Sequence, residues 1–184
     1  LCALGDAASM PVMSFLKNIE EIRQRARQTM EDGPVTYDYR LDPEQAVRVL
    51  NEALATEIVC VLRYRFHYFM ATGIHSSAVA KRFLGYAQEE QEHADRIAAR
   101  IRQLGGKPEM DPAVVAQTSH TEYKEGTSLA DMLREDLVAE RIAVSTYREI
   151  IKYFGQDDPT SRTMLEAILA QEEEHAAELA DLLF

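Results

Sequence analysis

Apolar residues recur along most of the chain at alternating steps of three and four, the spacing of one buried helix face; strand-like alternation is hard to find. Four long stripes stand out. The first runs Val47, Leu50, Leu54, Glu57, Val61, Tyr64, Tyr68, and the second Val79, Phe83, Tyr86, Glu90, His93, Ile97, Ile101, Leu104. The third is Leu129, Leu133, Leu137, Glu140, Val144, Tyr147, Ile151, Phe154; the fourth is Leu165, Ile168, Glu172, His175, Leu179, Leu182. Near the middle of each, where an apolar residue belongs, sits a glutamate.

Start and stop signals bracket the same four segments. Asp42 and Pro43 supply an N-cap and a first-turn proline for a helix reaching about Ala71, before Gly73. The second helix is expected from about Ser77 to Leu104, closed by Gly105 and Gly106. Ser128 caps a third ending at Phe154 and Gly155, and Pro159 precedes a fourth from about Thr160 onward. Residues 107–127 have no clear period, and so long a connection inside a compact domain implies a geometric purpose. Ahead of these lies a shorter amphipathic segment, about Ser14 to Glu31, stopped at Gly33 and Pro34. The expected organisation is an N-terminal extension with an amphipathic helix over 1–36 and an all-α four-helix bundle over 37–184.

The chain also repeats itself. LNEALATE (50–57) and LREDLVAE (133–140) share L-x-E-x-L-x-x-E, and Tyr64 and Tyr147 each follow the final glutamate by seven places. Both halves then read as helix with Glu, turn, helix with E-x-x-H. Two similar hairpins joined by a long crossover imply approximate two-fold symmetry.

Burying an ionised carboxylate without a partner costs several kcal/mol. Four carboxylates and two imidazoles would be buried together, with no Lys or Arg on the stripes at their level. Two divalent cations would balance four carboxylates, and neutral imidazoles add donor nitrogens without charge. Mixed carboxylate and imidazole ligation suits iron or manganese better than thiolate-loving metals. One Glu from each of two helices plus E-x-x-H from two others is the di-iron carboxylate pattern of ferritin-like bundles.

At these residues the chain resembles the ferritin-like superfamily, and bacterioferritin in particular, from about Leu50 to Leu182. QEEQEHADR (88–96) and LAQEEEHAAEL (169–179) are similar to its two E-x-x-H helices; LNEALATEIVCVLRY and DLVAERIA are similar to its single-Glu helices. The resemblance implies a ferritin-like four-helix bundle with a crossover between the second and third helices, here with an extra N-terminal helix. It implies ferroxidase activity at a site holding two iron ions per chain, with manganese or zinc as substitutes. Glu57 and His93 would be terminal ligands of one ion, Glu140 and His175 of the other, with Glu90 and Glu172 bridging. Oxygen or hydrogen peroxide would be the oxidant, and ferric iron would stay or move inward for storage. Tyr64 matches a tyrosine near the site in bacterioferritins.

Departures from that family bear on assembly. The position following the first bridging Glu, a haem-ligating Met in bacterioferritin, is Gln91, so no haem is expected. The fourth helix leaves no room before Phe184 for the short fifth helix of 24-subunit cages, and the expectation is a Dps-like homo-oligomer of 12 subunits. The alternatives are a rubrerythrin-like peroxidase or other di-iron or manganese oxidoreductase that stores no iron, and a Dps-like shell that binds DNA.

Thirty-one acidic against twenty basic residues, a formal net charge of −11, disfavours nucleic acid and favours cations near the surface. Cys2 and Cys60 form no C-x-x-C pair, which fits the cytoplasm. The opening LCALGDAASM lacks the basic and long apolar regions of a signal peptide, and no stretch is long enough to span a membrane. Glu89, Glu92, Glu173 and Glu174 read as solvated decoration and Cys60 as a small buried thiol. His67, His75 and His120 are assigned no function.

Overall fold

The computed structural model describes residues 19–28, 30–73 and 76–184. These fall into two compact units, divided between Tyr39 and Arg40. In the first unit the helix expected over 14–31 is α1 (Ile19–Arg25), followed by a single 3-10 turn at Met30–Asp32. Residues 14–18 and 29 lie outside the described residues, as do Cys2 and His75. α1 buries nothing: Ile22 is exposed, and Arg25 lies over the Tyr37 ring at 4.2 Å.

The second unit contains α2 (Pro43–Met70), α3 (Ser76–Gln103), α4 (Pro112–Thr118), α5 (Leu129–Phe154) and α6 (Pro159–Leu183). The caps explain where they begin. Asp42 accepts from the Glu44 N–H, Ser128 from Asp131 and Asp158 from Ser161, with Pro43 and Pro159 in the first turns of α2 and α6. Gly105, at φ +79, carries the chain out of α3. At Gly106 a Cβ would stand 2.6 Å from the Val47 methyls, so only glycine fits where the crossover meets α2.

α2 packs against α3 and α5 against α6; the two hairpins meet through α2 with α5 and α3 with α6. Contacts descend in opposite order along each of these pairs. Arg63 and His67 reach Asp136 while Glu57 reaches Tyr147; on the other side Arg82 reaches Glu178 while Arg100 reaches Asp158. Both cross-hairpin pairs are therefore antiparallel, and the crossover must return the chain along the bundle. It does so beside α2: Asn51 bonds Lys107 and Glu109, Thr56 bonds His120, and Arg63 and His67 hold the carbonyls of Glu122 and Lys124. That track covers seventeen residues of α2, from Asn51 to His67, roughly 24 Å of rise.

Two local expectations change. The crossover carries α4, a helix of about two turns capped by Asp111 and Pro112 that seats Val115 against Ala55 and Val59. With that cover, α2 is buried on more than one stripe, which is why Arg63 and His67 lie inside. On α5 the buried face is offset towards small residues. Asp136, Ala139, Ala143 and Ile150 are buried, while Leu129, Leu137, Val144 and Ile151 are half-buried and Leu182 on α6 is exposed. Close helix approach favours alanine over the larger residues that a search for bulk selects. No helix among the described residues is long and apolar enough to cross a membrane.

Candidate metal centre

Each of the four long helices contributes its central glutamate at the same level of the bundle, because the stripes place these residues where core side chains would otherwise stand. Glu57, Glu90, Glu140 and Glu172 are each 1% exposed, His93 1% and His175 2%, so none is solvated. The structure brings all six sequence-predicted residues together as two overlapping groups. Glu57, Glu90, His93 and Glu172 form one; Glu90, Glu140, Glu172 and His175 form the other, and in each the ligand atoms lie within 4.8 Å of one another. Glu90 and Glu172 are common to both.

Both imidazoles present Nδ1 to the carboxylates. His93 Nδ1 lies 2.9 Å from Glu172 Oε1, 3.2 Å from Glu90 and 3.3 Å from Glu57. His175 Nδ1 lies 3.3 Å from Glu90, 3.8 Å from Glu172 and 4.0 Å from Glu140. Five atoms of the set, one oxygen on each glutamate plus His175 Nδ1, are buried with no hydrogen-bond partner. Buried polar atoms in native proteins are almost always satisfied. Convergent unsatisfied carboxylate and imidazole atoms fit divalent cations chemically.

The surrounding shell is built by the two-fold repeat. Tyr64 on α2 donates its phenol proton to Glu140, and Tyr147 on α5 donates to Glu57. Each tyrosine thus serves the glutamate of the other half, although Tyr64 lies on the same helix as Glu57. The outer nitrogens of the histidines also cross over: His93 Nε2 meets Gln171 Oε1 at 3.1 Å, and His175 Nε2 meets Glu89 Oε2 at 2.6 Å. Reading Glu89 as solvated decoration is therefore corrected, its side chain being about one-third exposed. Glu92 and Glu174 are exposed, and Glu173 pairs with Arg148 at the surface.

Desolvation and mutual repulsion dominate the electrostatics. Burial, then the charge of Glu90, pushes Glu57 up to about 8. Glu140 is raised and Glu172 raised well above the usual carboxylate range, for the same two reasons. Glu90 is the exception: burial opposes its charge, but the close approach of the His175 and His93 imidazoles outweighs it and lowers its pKa. Burial alone would lower both histidines, yet their carboxylate partners raise His93 and bring His175 up to about 9. Without cations, then, Glu57 and Glu172 tend to keep protons near neutral pH and Glu90 stands between two imidazolium groups.

Sequence reasoning missed a second polar cluster beside the site. Arg63 bonds Asp136 at 2.9 Å, His67 bonds Asp136 at 2.8 Å, and both hold crossover carbonyls. His67 is thus a structural tie rather than a bystander. Cys60 contacts Arg63 and Thr121, and burial raises its thiol well above normal, which leaves it an unreactive core residue. The available signal for Glu89 and Gln171 was the repeat: each precedes the glutamate of an E-x-x-H.

A family model described as a ferritin-like domain matches residues 47–183. The DNA protection during starvation protein of Pyrococcus furiosus is 30% identical over 146 residues, 78% of this chain and 79% of that protein. Bacterioferritin of Rhodobacter capsulatus is 29% identical over 135 residues, 71% of this chain and 78% of the relative. Among solved structures, a dodecameric thioferritin, the bacterioferritin-related protein from Bacteroides fragilis, is 32% identical with a TM-score of 0.74. The match covers 78% of this chain and 86% of that one.

Proposed function

Since the chain belongs to the ferritin-like domain family, we propose that it binds two ferrous ions inside its bundle and oxidises them for storage. Ferrous iron is the substrate, and the supporting observation is the pair of overlapping ligand groups that share Glu90 and Glu172. In this reading Glu57 and His93 hold one ion, Glu140 and His175 the other, and Glu90 and Glu172 touch both. Manganese or zinc would fit the same donors. Two adjacent ferrous ions supply the two electrons that reduce dioxygen to hydrogen peroxide, or hydrogen peroxide to water.

The protein's own part is positional and electrostatic. Tyr64 and Tyr147 orient Glu140 and Glu57 by donating to one oxygen of each, leaving the other oxygen for a cation. The apolar stripes above and below exclude water, which strengthens every charge interaction inside. Release of protons from Glu57, Glu172, His93 and His175 provides the negative charge that two cations need.

Storage requires an enclosed volume, and a bundle filled by its own side chains has none. A closed homo-oligomer of twelve copies is therefore part of this reading; the B. fragilis relative, 32% identical, is itself dodecameric. Haem has no part in it: Gln91 stands where the resemblance would place a ligating Met, and its amide offers no thioether. A net charge of −11 repels a phosphate backbone, so nucleic acid is not the partner, and the cytoplasm is the compartment assigned.

Stopped-flow absorbance after anaerobic ferrous loading tests the activity. Oxygen or peroxide should produce a fast ferric phase that Glu57→Ala, Glu90→Ala and His175→Ala each slow strongly at unchanged helical content. Unchanged rates in all three would refute the site. Light scattering should give the mass of twelve chains, and a stable monomer would refute storage.

A further inference from the structure

The repeat makes the two halves of the centre nearly equivalent, and one pair of positions breaks the equivalence. His93 and His175 both turn Nδ1 to the carboxylates, so an imidazole ligating through Nδ1 must carry its proton on Nε2 and donate it outward. The acceptors occupy matching places, each just before the glutamate of the opposite E-x-x-H. For His93 the acceptor is the amide oxygen of Gln171 at 3.1 Å; for His175 it is the carboxylate of Glu89 at 2.6 Å.

An amide and a carboxylate are not interchangeable there. A charge-assisted hydrogen bond is shorter and about twice as strong as a neutral one. The difference of half an ångström between the two contacts follows that rule. A carboxylate behind a ligating histidine also makes the imidazole more basic and a better donor, and losing such a partner costs about 10- to 100-fold in metal affinity. Glu89 is about one-third exposed, which dilutes its effect and favours the lower end of that range.

We propose that Glu89 is a positioning residue that makes the His175 half of the centre the tighter cation position, so that the first ion occupies it. Gln171, in the matching place, leaves the His93 half the weaker one. The inference rests on the two-metal reading above and extends it to an order of filling.

The test is a Co(II) titration of the full chain, following the ligand-field absorbance, which needs no redox turnover. The wild type should take up two ions in two resolvable steps. Glu89→Gln should weaken the first step about tenfold and the second far less. Gln171→Glu should strengthen the second by a similar factor. The double variant, with the two side chains exchanged, should recover the wild-type product of the two constants. That recovery excludes a general loss of charge or of folding as the cause. If the wild type binds fewer than two ions, the two-metal reading fails and the order of filling with it. If two ions bind and Glu89→Gln leaves the constants within twofold, or weakens both equally, the inference alone is overturned.

Discussion

Loading the centre with a redox-inert cation should expel protons, and the structure sets how many. Ligation requires ionised carboxylates and imidazoles with a free Nδ1. Near pH 7, Glu57 is held up to about 8 by burial and Glu90, and Glu172 lies well above the usual range. His175 is raised to about 9 by its carboxylate partners against the pull of desolvation, and His93 is raised likewise. One proton from each gives a release of about four per chain as two ions bind. At pH ~9.5 Glu57 and most of His175 have already lost theirs, and release should fall. Zn(II) added to weakly buffered, metal-free protein with a pH indicator measures the number directly; calorimetry in buffers of different ionisation enthalpy checks it. Release below one proton per chain, or a release that does not change between the two pH values, would refute this description of the empty centre.

The same groups give the metal-free protein a pH-dependent stability. Glu57 and His175 have raised pKa values, so the folded state holds protons that the unfolded chain loses above about 4.5 and 6.5. Stability should therefore decline from about pH 5 through pH 9, as seen by urea unfolding, and Zn(II) should flatten the decline. Asp158 both caps α6 and pairs with buried Arg100 at 2.9 Å. Asp158→Ala should cost about 3–5 kcal/mol in the same assay, because it strands a buried guanidinium. Asp158→Asn, which keeps a cap acceptor, should cost less. Tyr64→Phe and Tyr147→Phe should each weaken Co(II) binding about tenfold at unchanged circular dichroism, since each removes the donor that orients one terminal glutamate.

Much of this architecture was legible in the sequence because helices announce themselves by period and cap. The 3.6-residue stripes, Asp42–Pro43, Ser128 and Pro159 located all four long helices to within a residue or two. The six candidate ligands were legible because charge is rare on a buried stripe, and the L-x-E-x-L-x-x-E repeat paired the halves. Contacts between helices were harder to read. Nothing in one helix's period says that Tyr64 bonds Glu140 rather than Glu57, or that Glu89 reaches across to His175. α4 escaped because seven residues give too little period, and its anchor, Val115, is a single side chain. The burial of Arg63, His67 and Asp136 depends on the crossover laid along α2, which no single helix's period records.

The claim that the six residues form one dinuclear, iron-oxidising centre is most directly tested by Mössbauer spectroscopy of protein titrated with 57Fe(II) under anaerobic conditions and then exposed to oxygen or peroxide. The account predicts that two ferrous ions bind per chain in nitrogen and oxygen coordination and that both become ferric together on mixing. Loss of both positions in Glu90→Ala and Glu172→Ala, the two shared ligands, should accompany this. Binding of one ion or none, or ferrous iron that oxidises no faster than in buffer, would contradict it.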